Sequence, residues 1–301
     1  MNSNLPTTMR AAGEAGVPAQ LADYYELVKP SIVWLILMST AMGCYLAADG
    51  ALPAVQTLHA LCATALLAAG TGALNQWWER DVDARMRRTA MRPLPAGRVP
   101  SRAALIYASG LTVAGLAYLL AGVNTLSFWL GVCTVVSYNL VYTPLKTRTW
   151  WSTTLGAFPG AVPPLMGWAA LRGSLGVEAW VLFGILFLWQ FPHFYAIAWM
   201  YREDYARAGI RMLPVVEPSG RSTYRQIIVS SALLVPLSMA PAWLGMAASW
   251  YVVPAFVLGC AYLAAGVRLA KSGTAGDARD LLRASVLYLP VLYLFLLVAK
   301  P

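Results

Sequence analysis

Charge is what this sequence has least of. Only 12% of its 301 residues are Asp, Glu, Lys or Arg, about half the share of an average soluble domain. Hydrophobic residues fill 59% of the chain, which excludes disorder and a cytosolic enzyme before any motif is read. Cysteine is scarce as well. Cys44, Cys62, Cys133 and Cys260 all fall in apolar stretches, and none forms a CxxC or a metal-ligand spacing. A disulfide scaffold is therefore excluded, and the four read as small packing residues. Histidine occurs only at positions 59 and 193. Acidic residues number 13 against 22 basic ones, a net charge of +9. That surplus does not point to nucleic acid, because the basic residues cluster in short links between apolar runs, as membrane topology requires.

What is there is apolar sequence in lengths that suit a bilayer. A crossing helix needs about 20 mostly apolar residues. Nine such runs are read at about 30–48, 53–77, 103–122, 125–143, 153–171, 179–200, 224–244, 248–269 and 281–299. Backbone groups facing lipid must be paired within their own segment, so these runs are helices. The expected class is all-α, a polytopic membrane protein with nine transmembrane helices over residues 23–301. Residues 1–22 lack the apolar core of a signal peptide and the basic amphipathic character of a presequence. They are expected to be a disordered cytoplasmic tail, in a protein of a prokaryotic plasma membrane.

Orientation follows from the cations. Of the 22 lysines and arginines, all but Arg172 and Lys300 fall in the tail or in links on one side of the nine-span scheme. The positive-inside rule makes that side cytoplasmic, with the N-terminus inside and the C-terminus outside.

The chemistry concentrates where the second and sixth spans reach that side. On a helix continuing past residue 77, Asn75, Glu79 and Asp83 recur every four residues and share a face. They cover about 12 Å of helix rise, enough to flank a diphosphate with its metals. Magnesium favours oxygen ligands and bridges carboxylates to phosphate. Asp81 lies off that face. Arg87, Arg88 and Arg92 follow before Pro93, and guanidinium groups suit phosphate as planar, permanently charged donors. The plainer alternative is an acidic helix end balanced by topology-setting arginines.

His193, after Pro192, falls about two turns inside the sixth span. An ionisable residue there is a functional candidate, as metal ligand or proton carrier; a neutral histidine bonded to a neighbouring helix is the bland alternative. His59, near the outer end of the second span, has no partner in view and reads as structural or interfacial. Lys146 and Arg148 follow a Pro-broken turn after span four. The fifth span carries Gly156, Pro159, Gly160, Pro163, Pro164 and Gly167, so it bends, packs closely or frames a cavity.

From about Tyr25 to the C-terminus the chain resembles the UbiA superfamily of intramembrane prenyltransferases, and within it the haem O synthase branch. The resemblance is carried by Asn75-x-x-x-Glu79-x-x-x-Asp83, Met86-x-Arg88-Thr89-x-x-Arg92-Pro93-Leu94, Tyr142-Thr-Pro-Leu-Lys146, Pro163-Pro-Leu-x-Gly-Trp168, Pro192-His193-Phe and Asp204-Tyr-x-x-Ala-Gly209-x-x-Met-Leu-Pro214. It implies nine helices, farnesyl diphosphate as donor and haem b as acceptor, with haem a substrate and magnesium the metal. Asn75, Glu79 and Asp83 would hold the diphosphate through magnesium. Arg87, Arg88, Arg92, Lys146 and Arg148 would take up charge as it leaves, and His193 would contact haem as an axial ligand or nearby base. The second acidic motif is reduced, with Ala at position 208, leaving Asp204 beside Glu203 for any second metal. Glu79 stands where the superfamily has Asp, Arg211 where the branch usually has Pro and Ser152 where it often has Asn. The resemblance also brings haem A synthase and oxidase assembly proteins as further partners.

Two other readings share parts of this pattern. A sibling enzyme would keep the donor site and prenylate an aromatic or chlorin acceptor. A transporter or haem-delivery protein would also use polar helix ends and bent spans, although the acids and arginines here lie at helix ends and not mid-bilayer.

Overall fold

The computed structural model describes residues 17–301, and among them there are helices and links but no strand. A short α1 (Val17–Leu27) leads into α2 (Pro30–Ala47), α3 (Ala54–Asp83), α4 (Ser101–Gly122) and α5 (Thr125–Leu145). Next come α6 (Ser152–Arg172) and α7 (Val177–Met200). Two short helices, α8 (Arg202–Arg207) and α9 (Leu213–Val216), precede α10 (Arg221–Trp243), α11 (Ser249–Ser272) and α12 (Ala275–Ala299).

All nine expected runs are helical. Eight of the helices are long and apolar enough to cross a membrane. The remaining one, α6, has 21 residues but carries Pro159, Pro163 and Pro164 with three glycines, so it falls short in apolarity rather than length. Its residues 161–169 are all buried, and protein instead of lipid surrounds most of it. Residues 1–16 of the expected tail lie outside the described residues. Residues 17–22, assigned to that tail, are instead the first turns of α1. Two arms hold this helix: Arg98 pairs with Asp23 and with Glu26, the latter at 2.6 Å, and Gln76 Nε2 donates to the Glu26 and Leu27 carbonyls. Leu27 is then buried among Ala73, Leu94, Val99, Ala104 and Ala108.

Small residues set the helix spacing, because lipid gives apolar helices no hydrophobic reason to associate and close packing must do it. A Cβ on Gly167 would run into the Thr40 carbonyl oxygen, and one on Gly43 into that of Pro164. Helices α2 and α6 therefore touch backbone to backbone. The same device joins α3 to α4, where Gly70 faces Thr112 and Gly115 faces Leu67. The largest buried cluster links α2, α6, α7, α10, α11 and α12. Trp34, Ile106, Val113, Val253 and Val298 point outward, more than 60% exposed, as a lipid-facing surface requires.

The elements alternate in direction, so the link residues collect at two ends. One end gathers α1, the α3–α4 link, the α5–α6 link and α8–α9. The opposite end joins Arg172 to Asp49 at 2.5 and 2.6 Å. There, Lys300 Nζ also donates to the Tyr45 and Ala48 carbonyls.

Candidate active site

Helix α3 runs on past residue 77 to Asp83, so its last two turns present Asn75, Glu79 and Asp83 along one side. All three line a cavity of about 280 Å³. The link that follows folds back over them: the Pro93 carbonyl accepts from Arg98 and Val99, and Thr89 Oγ1 donates to the Asp83 carbonyl. This return carries Arg92 onto Asp83, whose carboxylate is 1% exposed and receives Arg92 Nη1 at 2.7 Å.

Each polar group on that face already has a cation beside it. Lys146 Nζ stands 2.6 Å from Glu79 Oε1, and Lys29 Nζ donates to Asn75 Oδ1 at 2.6 Å. Burial opposes the charge of Lys146, yet Glu79, then Tyr142 and Tyr138, hold its pKa well above the ordinary lysine value. Lys29 differs. Burial, reinforced by repulsion from Arg92 and Lys146, pulls its pKa down to about 7 despite attraction from Glu79 and Asp83. Its backbone is left-handed, with φ 52°, a conformation costing about 1–2 kcal/mol for a residue with a Cβ.

Helix α5 is wound as a π-helix over Val136–Tyr142, a form common at functional sites. The wider winding brings Tyr138 and Tyr142 into the cavity lining with ring centroids 5.5 Å apart. Lys146 Nζ lies 4.5 Å from the Tyr142 ring centre, a cation–π distance. Gly156 on α6 makes room, since a Cβ there would meet the Tyr142 ring at 2.5 Å. Asn75 Nδ2 donates to Thr143 Oγ1 and ties α3 to the end of the π segment.

The second polar stretch reaches the same place from the other half of the chain. Met86, Ala208 and Ile210 form one buried cluster, Arg88 Nη2 donates to the Tyr205 hydroxyl at 3.3 Å, and Arg211 N donates to the Lys146 carbonyl at 2.8 Å. His193 and Phe194 of α7 line the cavity too. His193 Nδ1 is bonded to Ser285 Oγ of α12 at 2.7 Å, and its ring stacks on Trp189 at 4.9 Å.

The structure thus brings together Asn75, Glu79, Asp83, Arg88, Arg92, Lys146 and His193. Arg87, Arg148 and Asp204 are not among the lining residues. Arg87 and Arg148 are exposed, and Asp204 pairs with Arg207 one turn along α8. Sequence reasoning missed Lys29, Tyr138 and Tyr205 as site residues. Lys29 had one usable signal, a lone cation placed against the first apolar run. His59, read as structural, is bonded to the Tyr118 hydroxyl at 2.9 Å, away from the cavity.

Among the described residues, no group of three or more His, Cys, Asp and Glu is close enough to hold a metal alone. Asn75, Glu79 and Asp83 still fit a hard cation. They are oxygen donors on one helix face, and all three line the same cavity. Magnesium is usually bound by one or two carboxylates together with substrate phosphate and water, and Glu79 and Asp83 supply the carboxylates.

A membrane-embedded helical bundle with an oxygen-rich, cation-rimmed cavity at one end defines a class that handles anionic substrates at the bilayer edge. Residues 36–292 match the UbiA prenyltransferase family, and the chain belongs to that family. Among curated proteins it is 52% identical to a protoheme IX farnesyltransferase of Solibacter usitatus, over 93% of this chain and 99% of that one. It is 45% identical to the one of Koribacter versatilis, over 94% of each. The fold superposes on a structure of digeranylgeranylglyceryl phosphate synthase with TM-score 0.79 and 17% identity, covering 93% of this chain and 98% of that one. A UbiA homologue from Archaeoglobus fulgidus bound to DMAPP and Mg2+ gives TM-score 0.65 at 19% identity, covering 91% and 99%.

Proposed function

We propose that this chain transfers the farnesyl group of farnesyl diphosphate to a vinyl carbon of haem b, with addition of water, giving haem O and free diphosphate. The observation that carries the donor half is the convergence of Asn75, Glu79 and Asp83 with Lys29, Arg92, Lys146 and Arg88 around one cavity. The near full-length similarity to protoheme IX farnesyltransferases supports the acceptor half.

In this reading Asn75, Glu79 and Asp83 would hold magnesium, which would supply charge neutralisation for the diphosphate. Arg88, Arg92, Lys146 and Lys29 take the remaining phosphate charge as the C1–O bond breaks and its electron pair leaves with diphosphate. Cations fixed in advance stabilise that charge without reorganising. The allylic fragment becomes electron-poor and faces Tyr138 and Tyr142, whose rings can stabilise it. The vinyl π-electrons of haem b form the new carbon–carbon bond, and water supplies the hydroxyl at the carbon left cationic. His193 is the haem contact. Asp204, Arg87 and Arg148 stand outside the lining and act on the rim, Asp204 as a second-metal ligand only if α8 moves inward.

We place this multi-pass protein in a prokaryotic plasma membrane, and the distribution of lysine and arginine supports an orientation with the cavity end cytoplasmic and the C-terminus outside. Haem A synthase or oxidase assembly proteins are the proposed recipients of the product. The test is one assay: purified protein, haem b, farnesyl diphosphate and magnesium, with the haem pool read by mass spectrometry. A species heavier by a farnesyl unit plus water is expected. Unchanged haem together with a prenylated aromatic precursor in a parallel reaction would assign a different acceptor.

A further inference from the structure

The His193 ring is held by a short chain of bonds that crosses three helices. Ser285, on α12, is fully buried. Its hydroxyl oxygen lies 2.6 Å from the Leu282 carbonyl and 2.7 Å from His193 Nδ1. Two oxygens 2.6 Å apart need a proton between them and a carbonyl can only accept, so the short contact assigns the hydroxyl proton to Leu282. Ser285 Oγ is then an acceptor toward the ring, and Nδ1 carries the imidazole proton. The lone pair of the neutral ring is left on Nε2, on a side chain that lines the cavity.

Ser285 itself is fixed. Its backbone carbonyl accepts from Trp189 Nε1 at 2.8 Å, and the Trp189 carbonyl accepts from the Tyr262 hydroxyl of α11 at 3.1 Å. Trp189 also stacks on the imidazole, with the planes 25° apart. The histidine is thus clamped on one face by an indole and at Nδ1 by a hydroxyl whose proton is already committed.

We infer that Ser285 is a positioning residue: it sets the tautomer and the ring orientation of His193, so that Nε2 is the nitrogen offered to the haem acceptor. The inference rests on the reading of His193 as the haem contact. It goes beyond it by assigning the nitrogen and the residue that selects it. A simple packing bond between α7 and α12 would need no particular tautomer.

Ferric haem b titrated into the purified protein, without farnesyl diphosphate, tests this through the absorption spectrum and the affinity. Loss of an outer partner of a metal-bound histidine typically weakens binding about 10–100-fold. Ser285→Ala is expected to lose affinity in that range and to shift the haem spectrum toward that of His193→Ala. Ser285→Thr, which restores the hydroxyl, is expected to return both toward wild type. Binding of farnesyl diphosphate with magnesium should be unchanged in Ser285→Ala and Ser285→Thr, which reports that the bundle is folded. If Ser285→Ala does not fold, Ser285→Cys, close in size and a weak hydrogen-bond partner, carries the same expectation. A wild-type spectrum and affinity in Ser285→Ala, with both lost in His193→Ala, would overturn the positioning role alone. No change in His193→Ala would overturn the haem-contact reading, and the positioning role with it.

Discussion

The two ends of the bundle carry similar ingredients in different arrangements. At the cavity end, Asp83 and Glu79 are nearly buried, and each faces a cation that also lines the cavity. At the opposite end Asp49 and Arg172 make a two-pronged pair, but the aspartate is 81% exposed. That end also holds the larger cavity, about 510 Å³ beside Trp168, Glu178 and Lys300. Asp49 has its pKa lowered by its hydrogen bond to Arg172, and the pair lies where water and salt screen it. Neither ion pairs nor cavity size marks a site. What marks it is the convergence of groups from distant segments in a place dry enough for their charges to matter.

Substitutions at the two ends should separate accordingly. Asp83→Asn is expected to lower farnesyl transfer by about 10²–10³-fold, the range for losing one fixed electrostatic group, as read by product mass spectrometry. Lys146→Met strands Glu79 without its counter-ion, and breaking such a pair typically costs about 3–5 kcal/mol. Denaturation of the detergent-solubilised protein should register that loss. Gly167→Ala drives a methyl into the Thr40 carbonyl, and overpacking of this kind costs about 1–3 kcal/mol. Its stability should fall while its affinity for farnesyl diphosphate stays at the wild-type value, since the clash lies outside the cavity lining. Asp204→Asn should reduce turnover less than Asp83→Asn does, because its carboxylate lies outside the cavity lining and pairs with Arg207. Arg172→Ala, at the opposite end, should leave turnover unchanged.

Much of this was legible in the sequence because lipid imposes simple rules. Twenty apolar residues between basic links fix a helix, and nine such runs became helices, seven of them within three residues of both expected ends, while α3 and α12 each run six residues further at one end. The Asn75–Glu79–Asp83 face was legible because a four-residue repeat has one meaning on a helix, and α3 does continue through Asp83. Other features depend on contacts between distant segments. Lys29 enters the site only because α1 turns at a left-handed residue held by the α3–α4 link. Tyr138 faces the cavity because seven residues of α5 take a π winding, which no local pattern announces. Ser285 is one serine in an apolar run, and only the packing of α12 on α7 gives it a partner. Asp204 illustrates the reverse: a motif position near the site whose carboxylate is taken by its own helix.

The most direct test is to measure farnesyl diphosphate binding to the purified protein by calorimetry, with and without magnesium, in wild type, Asp83→Asn and Arg172→Ala. The account predicts magnesium-dependent binding in wild type and Arg172→Ala, and its loss in Asp83→Asn. Full binding in Asp83→Asn with loss in Arg172→Ala would contradict it and move the donor site to the other end of the bundle.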